Sequence, residues 1–151
     1  FLLTVLASRK KVAESRDELL SQMPEARLLM SLPGLGAVTC ATFLAEVGDV
    51  SRFPNASKLA SYAGLAPKVR QSGKTIHSVT KPRGGNRRLK RVLVLSAGKS
   101  VQFCEESRAY YERKRCRGDS YGSCMMALAR RRLNVMYAML RDSTAYEKQN
   151  G

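Results

Sequence analysis

Tryptophan is absent from this 151-residue chain, phenylalanine occurs four times, and histidine occurs once. Leu, Val, Ala and Met must therefore fill any core, and a hydrophobic content of 44% is enough for one. No run of about 18 apolar residues occurs, which argues against a membrane-spanning helix. The four cysteines, Cys40, Cys104, Cys116 and Cys124, fit no zinc spacing. Reduced thiols in a cytoplasm are the expectation. The most telling shortage is of acid. From Val50 to Cys104 there is no Asp or Glu, while the same window holds twelve Lys or Arg. A solvated face normally mixes both signs, so the window points to a polyanionic partner. The formal charge of +15 points the same way.

The start, FLLTVLASRKK, is too short and wrongly flanked for a signal peptide. It carries no initiator Met, and a piece of a longer protein is expected. Residues 1–24 read as a helical extension. Val5, Val12 and Leu19 recur every seven residues, which fits either the end of a coiled coil or a plain amphipathic helix. Residues 25–147 read as the main domain and 148–151 as a tail. A short apolar helix ends at Leu32, Pro33 to Gly36 make a tight turn, and a second helix runs from Ala37 to a Gly48 cap. Asn55 caps a third helix closed by Gly64. From Pro67 to Gly85 the helical period disappears. Short strands at "KVRQ" and "KTIHSVT" would put Ser72 and Gly73 at a hairpin tip. Asn86 caps a long helix, another ends at Gly118, "DSYG" reads as a turn, and a final helix follows. Met125, Leu128, Leu133, Met136 and Leu140 are its expected core, with the methionines as filler. The expected fold class is all-α, with one irregular or hairpin insertion.

Residues 28–48, "LLMSLPGLGAVTCATFLAEV" in their main part, are similar to a helix-hairpin-helix. Gly34 and Gly36 would let the backbone approach a partner closely. The amides at the start of the second helix would face phosphate. Such a contact positions nucleic acid without reading bases. A hairpin used only for packing is the alternative. The basic stretch "KVRQSGKTIHSVTKPRGGNRRLKR" supplies Lys68, Arg70, Lys74, Lys81, Arg83, Arg87, Arg88, Lys90 and Arg91. Those at the helix start oppose the macrodipole by about 0.3–1 kcal/mol each, a cost that phosphate would offset. Tyr62, Tyr110 and Tyr111 could stack on bases, though half-buried helix positions suit them better. Ser72 alone is weak chemistry, because a serine hydroxyl needs activation and no acid lies near it. Glu46 with Asp49, and Glu105 with Glu106, lack the partners a metal site requires and read as structural.

Taken together, "LPGLGAVTCATFLAEVGDVSRFPNASKLASYAGLAPKVRQSGK", "KPRGGNRRLKRVLVLSA" and the closing "YYERKRCRGDSYGSCMMALARRRLNVMYAMLRDSTAYE" resemble one family. It is the C-terminal transposase domain of the bridge-RNA-guided DEDD insertion-sequence transposases, of the type of insertion sequence one-ten. The resemblance covers residues 25–147. It implies a DNA recombinase that acts on DNA with a guide RNA, as a homo-oligomer in full length, in the cytoplasm on the nucleoid and not on a membrane. It implies a RuvC-like domain, outside this chain, that holds Mg²⁺, with no cofactor here. The serine of the family's Ser-Gly motif falls on Ser72, followed by Gly73, as the nucleophile that joins DNA. Lys81, Arg83, Gly85, Asn86, Arg87 and Leu89 match a second basic stretch. Where relatives commonly read Lys-Arg-Gly, this chain departs from the pattern and reads Lys81-Pro82-Arg83-Gly84-Gly85. Two rival readings remain: a helix-hairpin-helix module that binds nucleic acid without chemistry, and a structural RNA-binding protein.

Overall fold

The computed structural model describes residues 1–66, 68–71, 77–80 and 85–148, and of 68–71 and 77–80 the backbone alone. Among the described residues, one short antiparallel ladder joins an otherwise helical set of elements. Helix α1 spans Leu2–Gln22 and α2 spans Pro24–Met30. Pro24 at the first helical position costs no hydrogen bond there, because that N–H has no partner in any helix. α3 (Ala37–Val47) ends at Gly48, whose φ of 65° suits a residue without Cβ. A 3-10 turn, Val50–Arg52, follows. The Asp49 carboxylate caps it by accepting from Ser51 N at 2.9 Å, and this bond holds its carboxyl below the usual range.

α4 (Ala56–Tyr62) starts at Asn55, whose side chain accepts from Lys58 N at 3.0 Å. Strands β1 (Lys68–Gln71) and β2 (His77–Thr80) pair antiparallel, with Lys68 opposite Thr80 and Gln71 opposite His77. Of the expected strand at residues 74–80, His77–Thr80 is described as strand, and Ser72 to Ile76 lie outside the described residues. α5 (Arg87–Phe103), α6 (Glu105–Cys116) and α7 (Tyr121–Asp142) complete the order.

α5 and α7 pack together at the centre, and α3 closes on α5. Phe43, Leu59, Leu89, Leu93, Leu128, Leu133 and Met136 are fully buried between them. Leu140 is only half-buried at the rim of this core. Two boundaries differ from the sequence expectation. α2 stops at Met30, and Leu32 is buried beyond it in the turn. "DSYG" is not a free turn: Ser120 caps α7 by accepting from Ser123 N at 3.3 Å, so Tyr121 and Gly122 are its first helical residues. α1 buries only Leu20, and Leu2, Leu3, Val5, Leu6, Val12 and Leu19 are exposed. Among the described residues, no helix is long and apolar enough to cross a membrane.

Candidate nucleic-acid interface

The acid-free window is organised around the start of α5. Asn86 is extended, and its side-chain oxygen accepts from Leu89 N at 3.0 Å. Its amide nitrogen donates to Glu46 Oε2 at 2.6 Å and lies 3.3 Å from the Tyr62 hydroxyl. Tyr62 in turn donates to Glu46 O at 3.1 Å, and Asn86 N donates to Tyr62 O at 2.8 Å. Gly85 makes this junction possible. Its φ is 86°, and a Cβ there would stand 2.5 Å from Gly64 N and 2.7 Å from Gly64 Cα. Two glycine backbones thus meet where any side chain would force them apart.

This knot gives Glu46 a structural role beside so much positive charge. Its carboxylate holds Asn86 and lies 3.9 Å from Arg88 Nη1. Asn86, expected to contact nucleic acid, has its side-chain oxygen and nitrogen both engaged within the chain. It positions α5. Arg87, Arg88 and Arg91 are exposed on the helix it starts. Among the described residues, no carboxylate lies within ion-pair distance of Arg87 or Arg91. Lys90 is half-buried on the same turn.

The Pro33–Gly36 turn is the second element. Gly34 has a φ of 80°, and a Cβ on it would lie 2.9 Å from Ser100 Cα. Its close approach is therefore made to α5 of its own chain. The turn is fastened further. Ser96 Oγ donates to Gly34 O at 3.2 Å, and the buried Arg132 donates to Pro33 O at 2.7 Å. Burial lowers the Arg132 pKa, and its guanidinium also lies 3.4 Å from Ser96 Oγ. Gly36 differs. It is extended at φ −88°, caps α3 without a side chain, and a Cβ there would meet nothing within 4 Å. The amides opening α3 thus have no side-chain cap.

Of the remaining sequence-derived site residues, Lys68 and Arg70 sit on β1, described in backbone only. Ser72, Gly73, Lys74, Lys81 and Arg83 lie outside the described residues. Tyr62, Tyr110 and Tyr111 are half-buried, as their helical setting suggested. Sequence reasoning did not single out Arg132, which is buried while its neighbours Arg130 and Arg131 are not. Its one signal was its place four residues from both Leu128 and Met136, on the core face of α7. Among the described residues, no group of three or more His, Cys, Asp or Glu comes together.

Residues 26–112, which carry both turns and the hairpin, match the model of the Transposase IS116/IS110/IS902 family. The match takes in more than half of the chain, which therefore belongs to that transposase family. Among its relatives is the insertion element IS110 uncharacterized 43.6 kDa protein of Streptomyces coelicolor. It is 45% identical over 148 residues, covering 97% of this chain and 36% of the relative. The insertion element IS900 uncharacterized 42 kDa protein of Mycobacterium paratuberculosis is 46% identical over 122 residues, 80% of this chain and 31% of its own. The pilin gene-inverting protein of Moraxella bovis is 32% identical over 130 residues, 82% of this chain and 39% of its own. The chain spans about a third of the length of each of these curated relatives.

Proposed function

We propose that the chain is the DNA-holding and serine-nucleophile part of an insertion-sequence transposase. The observation that carries this reading is the braced start of α5. A polar knot and a glycine contact fix the backbone at residues 85–86, and the exposed Arg87 and Arg91 leave it with no carboxylate within ion-pair distance among the described residues. Phosphate is the counter-charge that such a surface suits, and phosphate contacts position DNA without reading its sequence. The amides of α3 beyond Gly36 would add a helix-hairpin-helix type contact. The names of the relatives, insertion-element and gene-inverting proteins, support recombination as the setting.

In this reading the Ser72 oxygen attacks a DNA phosphorus. A new Oγ–P bond forms, one bridging P–O bond breaks, and the departing strand leaves as a hydroxyl. Arg70 and Lys74 are the nearest cations in sequence and would offset charge that develops on the phosphoryl oxygens. The RuvC-like domain with Mg²⁺, the guide RNA and a homo-oligomeric assembly belong to the whole protein in this proposal, and this chain alone would be inactive.

The test traps covalent protein–DNA adducts from the full-length protein with its RNA and both DNA sites, and maps the linked peptide by mass spectrometry. Ser72→Ala is expected to abolish adducts while DNA binding persists. Adducts formed by the alanine variant, or linked through Ser78, would remove the assignment. Recombination unaffected by Ser72→Ala would favour the non-catalytic binding module.

A further inference from the structure

An open groove of about 510 Å³ lies between α5 and the start of α7. Helical spacing builds one wall: Arg87, Arg91, Val94 and Leu95 stand at i, i+4, i+7 and i+8 on one side of α5. Tyr121 and Met126 of α7 build the other. The floor is apolar and the rim is basic. Two large side chains here are left in water, with Leu95 56% and Tyr121 60% exposed. Tyr121 is nonetheless oriented. Its ring meets Tyr111 edge-on, with centroids 6.3 Å apart and planes at 77°. Its hydroxyl comes within 3.8 Å of where a Gly98 side chain would begin.

The occupant must satisfy two demands at once. It must bring negative charge to Arg87 and Arg91, which find no carboxylate among the described residues. It must also cover an apolar floor beside an exposed aromatic ring. Duplex DNA meets the first demand but keeps its bases stacked away from such a floor. A single strand meets both, because each nucleotide carries a phosphate and a flat π face. The floor favours DNA over RNA, since its aliphatic and thioether side chains give a 2′-hydroxyl no good partner. We propose that this groove receives an unstacked base of single-stranded DNA, with Tyr121 against the base and Arg87 and Arg91 on the adjoining phosphates. The proposal rests on the nucleic-acid reading above and names the form of DNA that reading would involve.

The test uses the 151-residue chain and a ten-nucleotide oligothymidine with one central 2-aminopurine, whose fluorescence changes on stacking. Binding is measured for the parent, Tyr121→Leu and Tyr121→Phe, with folding checked by circular dichroism and Tm. A duplex of equal length and the matching RNA serve as competitors. Tyr121→Leu is expected to weaken single-strand binding by roughly five- to one-hundred-fold and to remove the fluorescence change. Tyr121→Phe keeps both, and duplex affinity is the same for all three. Single-strand affinity unchanged in Tyr121→Leu would overturn the proposal, as would tighter, Tyr121-dependent binding of the RNA. If the duplex binds and the single strand does not, the groove assignment alone falls. If neither DNA binds with salt dependence, the underlying reading falls with it.

Discussion

Gly36 opens α3 with no side chain and open space around its Cα, whereas Asn86 opens α5 with its side-chain oxygen and nitrogen both engaged. From the sequence both helix starts were expected to face phosphate. The first offers backbone N–H groups, and the turn before it is held from behind by Arg132, Ser96 and the contact of Gly34 with Ser100. The second offers arginine side chains on a backbone braced by Glu46, Tyr62 and Gly64. In each case a Cβ on the glycine with positive φ would meet backbone of its own chain. What could meet a partner is the neighbouring residue that the glycine sets in place.

The sharpest way to break this comparison is to crowd these two glycines. Gly85→Ala combines positive φ with backbone atoms at 2.5–2.8 Å, and is expected to cost about 3 kcal/mol or more in urea denaturation. Gly34→Ala should follow closely, with Ser100 Cα at 2.9 Å. A cost below about 1 kcal/mol for either would mean that the backbones there yield easily. Asn86→Ala removes a cap and leaves the Glu46 carboxylate without its donor, so about 2 kcal/mol should be lost. Gly36→Ala should cost no more than about 1 kcal/mol, because space is free and φ is negative. Gly36→Val should nevertheless lower DNA affinity if the α3 amides meet phosphate, and unchanged affinity would assign that turn to packing.

At neutral pH the smallest effect concerns Cys40, whose N–H bonds to Gly36 O at 2.9 Å in the first turn of α3. Burial pushes its thiol up from 9.0 to about 11. In the window between these values the folded state binds more protons than the unfolded one, so stability should fall as pH rises from 9 to 11. Cys40→Ser should flatten that slope. The exposed Cys116 should react with a thiol reagent at pH 8 while Cys40 stays protected.

The helix boundaries set by local chemistry could be read from sequence. Asn55, Asn86, Gly48, Gly64 and Gly118 all stand at helix ends, because caps act within four residues of themselves. Contacts made across the chain could not be read. Nothing near Gly34 announces Ser100, and nothing near Glu46 announces Asn86, 40 positions away. Tyr121 was misplaced because Tyr-Gly looks like a turn, while Ser120 had already begun a helix. Likewise, the triplet Arg130–Arg132 reads as uniform charge until α7 turns one of its members inward.

The bond from Asn86 N to Tyr62 O, 2.8 Å long, ties the two ends of segment 63–85 together. With its ends fixed by the core, the part between Ala66 and Gly85 can change length at small cost, since each doubling of a loop's length adds only about 0.6 kcal/mol. The same clasp makes this segment an exchangeable cassette. A version of different length or charge, grafted between Ala66 and Gly85 so that the buried Ala63 and Leu65 and the Gly64–Gly85 contact are kept, should leave the scaffold's folding intact and alter only what the scaffold presents.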